Sequence, residues 1–149
     1  MTRRKSEAGI TLLETLVVLA IIGISVGAAT LNLAPLESPL QAGTSLVEGF
    51  MRQARLNAIA TTSAYRVSPT SILKLGAETA DSCTASTWTT DNSMKLDMPE
   101  EVELDSTAWS VCFSSRGISA GNVVIGLHHD TWGDVDVEVL LGGTTRVVE

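Results

Sequence analysis

Gly9-Ile10-Thr11-Leu12-Leu13-Glu14 opens the apolar run GITLLETLVVLAIIGI, residues 9–24, and this stretch decides how the rest of the chain is read. Arg3, Arg4 and Lys5 stand before it, and from Thr15 to Leu36 there is no charged residue. About 20 apolar residues are enough to span a bilayer, so the segment is a membrane insertion signal. Three basic residues ahead of the span place the N-terminus in the cytoplasm and the body of the chain outside. Glu14 is the exception within the run. A carboxylate inside an apolar membrane segment costs at least a few kcal/mol and is usually retained for a function. An ordinary secretory signal would use Leu16–Ile24 as its apolar region and be cut after Val26-Gly27-Ala28; Glu14 in the lead-in argues against that reading.

These residues resemble the class III signal of type IV prepilins and type II secretion pseudopilins. The resemblance implies that prepilin peptidase cuts after Gly9 and that Ile10 becomes the methylated first residue. It also implies that Glu14 meets a neighbouring subunit's N-terminus during filament assembly. Ile10 departs from the phenylalanine usual there, although an apolar residue is kept.

Composition sets bounds on the remainder of the chain. It has 149 residues; setting aside leader and anchor leaves about 110–120, enough for one small domain. The formal net charge is −7. Without residues 1–9, seven basic and sixteen acidic residues remain, a net charge of −9. So acidic a domain disfavours broad electrostatic binding of nucleic acid, which needs clustered cations. Cys83 and Cys112 are the two cysteines, both in the part placed outside the cytoplasm. They are expected to form one disulfide closing a loop of about 30 residues, with a contribution of about 3 kcal/mol; two buried thiols are the alternative. No Cys-x-x-Cys and no Cys/His cluster points to zinc.

Leu12–Leu33 reads as helix, with Gly23 and Gly27 tolerated as membrane helices tolerate them. Pro35 and Pro39 mark a break or kink. Leu40, Leu46, Phe50, Ala54 and Ile59 then recur at helical spacing to Ala60, opposite Glu48, Arg52, Arg55 and Asn57. This predicts an amphipathic second half of one long N-terminal helix.

Within that half, SLVEGFMRQARLNAIATTSAYRV (residues 45–67) is similar to the FimT/GspH group of minor pilins and pseudopilins, in which a helix bearing an Ala-Arg-x-x-Ala segment runs into the first strand. Ala54, Arg55, Asn57 and Ala58 carry the match. Small residues at this spacing also commonly pack on a sheet, which is the plainer account of them.

From Ser63 the pattern changes to short β-forming runs between turn residues. Ala64–Val67 and Ser71–Leu75 read as a hairpin through Ser68-Pro69-Thr70, and Ala77–Ser93 as a loop or an irregular strand region around Trp88. Further strands are predicted at Glu101–Leu104, Trp109–Ser114, Asn122–His128, Val135–Leu141 and Thr144–Val148, the last two joined by Gly142-Gly143. Val135, Val137, Val139 and Leu141 alternate with Asp136, Glu138 and Leu140, as on a half-buried antiparallel strand. The predicted organisation is a leader over 1–9, a transmembrane and filament-core helix over 10–34, an amphipathic helix over 35–62 and an antiparallel β domain over 63–149. The fold class is α+β and pilin-like: a long N-terminal helix on a small sheet or two-sheet sandwich.

No catalytic set emerges. His128 and His129 are the only histidines, and as neighbours on a strand they face opposite ways; no Gly-x-Ser-x-Gly elbow supports a triad. An enzyme is not expected, nor a cofactor. Asp130, Asp134 and Asp136 could offer oxygens to calcium, but their spacing is not that of an EF-hand loop. A solvated acidic turn fits them better, so no metal site is assigned. Trp88, Trp109 and Trp132 read as core or sheet-surface residues. In the FimT/GspH-like group, a glycine followed by arginines near the C-terminus is implicated in contacting DNA in the natural-transformation branch. Arg146, after Gly142-Gly143, matches it, with Arg116 as a possible second cation.

The chain therefore reads as a non-enzymatic minor pilin or pseudopilin subunit of a type IV pilus or type II secretion pseudopilus. Its expected partners are other such subunits, prepilin peptidase and the cytoplasmic membrane, before it joins a cell-surface or periplasmic filament. A DNA-binding subunit is the alternative.

Overall fold

The structure, a computed structural model, describes residues 12–31, 38–99 and 101–148. The cleavage residues Gly9 and Ile10 lie outside them. The chain divides into two units, residues 1–36 and 37–149.

In the first unit, α1 spans Leu12–Leu31 with Glu14 in its first turn. Its apolar side chains from Leu12 to Ile22 are exposed. Apart from Glu14 and Thr15, this exposed face is apolar. Among the described residues no helix is long and apolar enough to cross a membrane.

In the second unit, α2 spans Pro39–Thr61. It begins on its own cap. Ser38 takes an extended conformation and its hydroxyl accepts from the Gln41 N–H at 3.1 Å, with Pro39 at the first helical position. There the missing proline N–H costs nothing. Thr62 closes the helix in the left-handed region, its N–H turned to the Ala58 and Ile59 carbonyls. The buried face carries Leu40, Val47, Phe50, Met51, Ala54 and Ala58.

Two four-stranded antiparallel sheets make up the rest of this unit. β1 (Ala64–Ser71), β2 (Lys74–Ala80), β3 (Thr89–Asp97) and β5 (Val111–Phe113) form one, in the order β3-β2-β1-β5. β4 (Glu103–Leu104), β6 (Val123–His129), β7 (Gly133–Val139) and β8 (Thr145–Val148) form the other, in the order β4-β6-β7-β8. α2 packs against strands of both, and one core unites the three layers. Met51 and Val47 from the helix, Leu75, Met94 and Phe113 from the first sheet, and Ile125, Leu127, Val137 and Val139 from the second are fully buried. The α+β, two-sheet expectation holds.

Three local expectations are revised. Ser68-Pro69-Thr70 is not a turn: β1 runs through it to Ser71, and Ile72-Leu73 make the turn. Proline is admitted because β5 pairs only with Tyr65–Val67, so Pro69 lies on an edge, and the register slips just after it. Of the loop or irregular strand region over Ala77–Ser93, β2 takes the part to Ala80 and β3 the part from Thr89. β3 is nearly all polar because only Met94 is fully buried, with Leu96 partly buried against the core on the same face. On β7 the valines at 135, 137 and 139 alternate inward as predicted, but the strand ends at Val139 and Leu141 is exposed in the turn.

Candidate functional site

Arg55, on the flank of α2, sends its Nε–H to the Gly117 carbonyl at 3.0 Å. Gly117 is buried with φ +71°, and a Cβ there would sit 2.7 Å from Ile59 Cδ1. Gly143, also buried with φ +75°, leaves a Cβ no room between the Gly117 carbonyl and Arg55 Nε. Only glycine satisfies both the backbone conformation and the close approach. Helix, the turn after β5 and the β7–β8 turn thus meet at one arginine. The neighbouring residues of the Ala-Arg-x-x-Ala segment are also committed: Ala54 and Ala58 are fully buried, and Asn57 Nδ2 lies 2.9 Å from Met94 Sδ.

Arg146 stands directly opposite Glu138 in the β7–β8 ladder. Its Nε and Nη2 both lie 2.6 Å from Glu138 Oε2. Arg116 is exposed in the turn between β5 and β6. No contact joins it to Arg146 among the described residues. Arg66, in turn, bonds Glu78 and lies 4.2 Å over the Trp88 ring, a cation–π contact on the outer side of the first sheet.

His128 and His129 face opposite ways, as adjacent strand residues must: one is exposed and the other buried. His128 Nδ1 is 2.5 Å from Asp134 and its Nε2 is 3.3 Å from Asp130. The hydrogen bond to Asp134 above all, with a smaller one to Asp130, raises the His128 pKa above its ordinary value. Asp105, His128 and Asp134 bring one ligand atom each within 4.8 Å of one another. That set replaces the Asp130, Asp134 and Asp136 grouping of the sequence, because Asp136 lies further along β7, opposite Gly126. All three members are exposed and solvated, and two are already hydrogen-bonded to each other. Buried His129 uses Nδ1 to accept the Thr131 and Trp132 N–H groups at 3.0 and 3.3 Å, which fixes the β6–β7 turn. Trp132 in that turn is 60% exposed, whereas Trp88 and Trp109 are half-buried.

Cys83 and Cys112 are bonded, their Cα atoms 5.9 Å apart, and tie the β2–β3 connection to β5. Glu14 lies on α1, in the unit that contributes nothing to the core among the described residues. Sequence reasoning did not bring the α2 flank from Ser45 to Arg55 together with the edge of β8. Their juxtaposition is a tertiary fact with no local signal.

Residues 4–30 match the family of the prokaryotic N-terminal methylation motif. No curated protein matches the chain. Among solved structures, the type IV minor pilin FimU of Pseudomonas aeruginosa is similar, at 14% identity and a TM-score of 0.60, over 74% of this chain and 88% of that one. The minor pseudopilin EpsH of the type 2 secretion system of Vibrio cholerae is similar at 12% identity and a TM-score of 0.56, over 74% of this chain and 97% of that one. At such identities the likeness is one of fold. With the methylation motif ahead of that fold, the findings support a minor pilin or pseudopilin.

Proposed function

We propose that the chain is a minor pilin or pseudopilin subunit, inserted in the cytoplasmic membrane as a precursor, cut after Gly9, methylated on Ile10 and then built into a filament. The observation that carries this reading is a methylation motif over residues 4–30 joined to a pilin-like α+β fold. In the filament α1 buries its apolar surface among the helices of other subunits. Glu14 then sits in a dry interior, where a carboxylate is tolerated only when paired and hydrogen-bonded. The N-terminal amine of a neighbour is the partner assigned to it, and the pair sets the axial register. The exported domain, residues 37–149, faces the periplasm or cell surface and acts as a structural subunit rather than a catalyst.

DNA carries less weight as a ligand. Arg146 is already matched to Glu138, and the processed chain bears a net charge of −9. Mass spectrometry of the mature protein tests the main reading: it should find N-methylated Ile10, whereas a mature N-terminus at Ala29 or Thr30 would point to ordinary signal peptidase and overturn it.

A further inference from the structure

Two adjoining hollows, of about 470 and 590 Å³, share Ser45 and Glu48. Together they make a groove along the flank of α2 from Ser38 to Arg55, about 25 Å at the helical rise. Seven residues of extended chain cover nearly the same distance. The opposite wall is the helix-facing side of the second sheet: Thr144, Thr145 and Val147 at β8, with Thr145 and Val147 opposite buried Val139 and Val137, then Trp132 and Val135 where β7 runs on beyond the reach of β8.

β8 pairs with β7 alone, so its other edge offers main-chain donors and acceptors without a strand partner among the described residues. Proteins normally blunt such edges with charge, proline, bulges or brevity. The other edge strands follow that rule. β4 has two residues and β5 three, while β3 carries Lys95 and Asp97 and its pairing with β2 slips in register. β8 has regular pairing, no proline and one charge, Arg146, already held by Glu138. Val147 and Val148 beside it are 41% and 42% exposed, and Trp132 is 60% exposed.

The groove also has a charge preference. Arg52 and Arg55 line its Gly143 end, and neither has a carboxylate partner among the described residues, whereas Arg66, Lys74 and Arg146 each do. Arg55 gives one N–H to Gly117 and keeps the rest of its guanidinium available. Glu48 and Asp134 line the same groove, which opposes a polyanion lying along its length.

We infer that this groove receives an extended segment of a partner polypeptide, added to β8 as a fifth strand of the second sheet, with a carboxylate of that segment reaching Arg52. Main-chain hydrogen bonds to β8 would supply affinity; Arg52 at one end and the apolar Trp132 and Val147 at the other would supply direction.

The test uses the full chain in detergent micelles and a capped seven-residue peptide alternating threonine and valine around one central glutamate. Amide NMR shifts and hydrogen exchange at Thr145–Val148 are read. Saturable shifts on β8, with exchange there slowed at least tenfold, are expected. The same peptide N-methylated at alternate residues should not bind. Replacing the peptide glutamate by glutamine, or Arg52→Gln in the protein, should each weaken binding about fivefold, and the two changes together no further. Absence of any β8 perturbation, or equal binding of the N-methylated peptide, overturns the inference. So does tighter binding of a short oligothymidylate at the same residues, which would make the groove a nucleic-acid site.

Discussion

Arg55 and Gly117, 62 positions apart in sequence, are joined by a 3.0 Å hydrogen bond from guanidinium Nε to a main-chain carbonyl, and Gly143 closes over it. A bond from a charged donor to a part-buried carbonyl contributes about 1.5–3 kcal/mol. Arg55→Ala should therefore destabilise the exported domain by about 2 kcal/mol. Gly143→Ala should cost at least as much, because it strains a positive φ and drives a methyl into the Gly117 carbonyl. Thermal unfolding of both variants checks this. A melting temperature unchanged in either would show that the junction is not a support of the fold.

The disulfide between Cys83 and Cys112 closes a loop with a sequence separation of 29 residues. Its removal should cost about 3 kcal/mol through the freed unfolded chain. Cys112→Ser adds the loss of a 9% exposed side chain from β5, so Cys83→Ser is the cleaner probe. Non-reducing peptide mapping should recover the two cysteines linked, and reduction should lower the melting temperature of the native protein but not of the variant.

His128 titrates above its ordinary value of 6.5 because Asp134, and less strongly Asp130, hydrogen-bond the charged ring. Folding raises this pKa. The pair's stabilisation is therefore fully present below the ordinary value and is lost as pH rises through the folded one. Asp134→Asn should return the His128 titration, followed by NMR, towards 6.5, and Asp130→Asn should do so by less. If neither moves it, the hydrogen bonds do not set the charge.

Glu14→Ala should leave the exported domain folded, since no described residue of α1 belongs to the core, and should exclude the subunit from filaments. Immunoblotting of sheared filaments against membranes measures this. Incorporation equal to the wild type would remove the pairing role of Glu14.

How much was legible in the sequence depends on range. The two helices were readable because an apolar run and a helical period are local. β7 was readable because Val135, Val137 and Val139 alternate with charged residues on a strand with one buried face. β3 was not, because a strand whose inward residues are Met94 and, partly, Leu96 shows too short an alternation to read. Pro69 misled because its tolerance depends on where β5 stops pairing, a tertiary fact. Arg55 was singled out by resemblance, but its partner at Gly117 could not be. Arg146 looked available for a ligand because nothing local places Glu138 opposite it.

That pairing decides the last prediction. Arg146 is 62% exposed, so its bond to Glu138 contributes only about 0.5–1 kcal/mol, and Arg146→Ala should destabilise the domain by about that amount. A guanidinium already matched to a carboxylate neutralises few phosphates. With a net charge of −9 on the processed chain, short duplex DNA should show no binding that depends on Arg146, even at low salt. Fluorescence anisotropy of labelled duplexes with the wild type, Arg146→Ala and Arg116→Ala measures this directly. Binding that falls in both variants, equally for every duplex sequence, and that weakens steeply with salt would show instead that the two arginines form a phosphate-contacting strip and that Glu138 yields Arg146 to DNA.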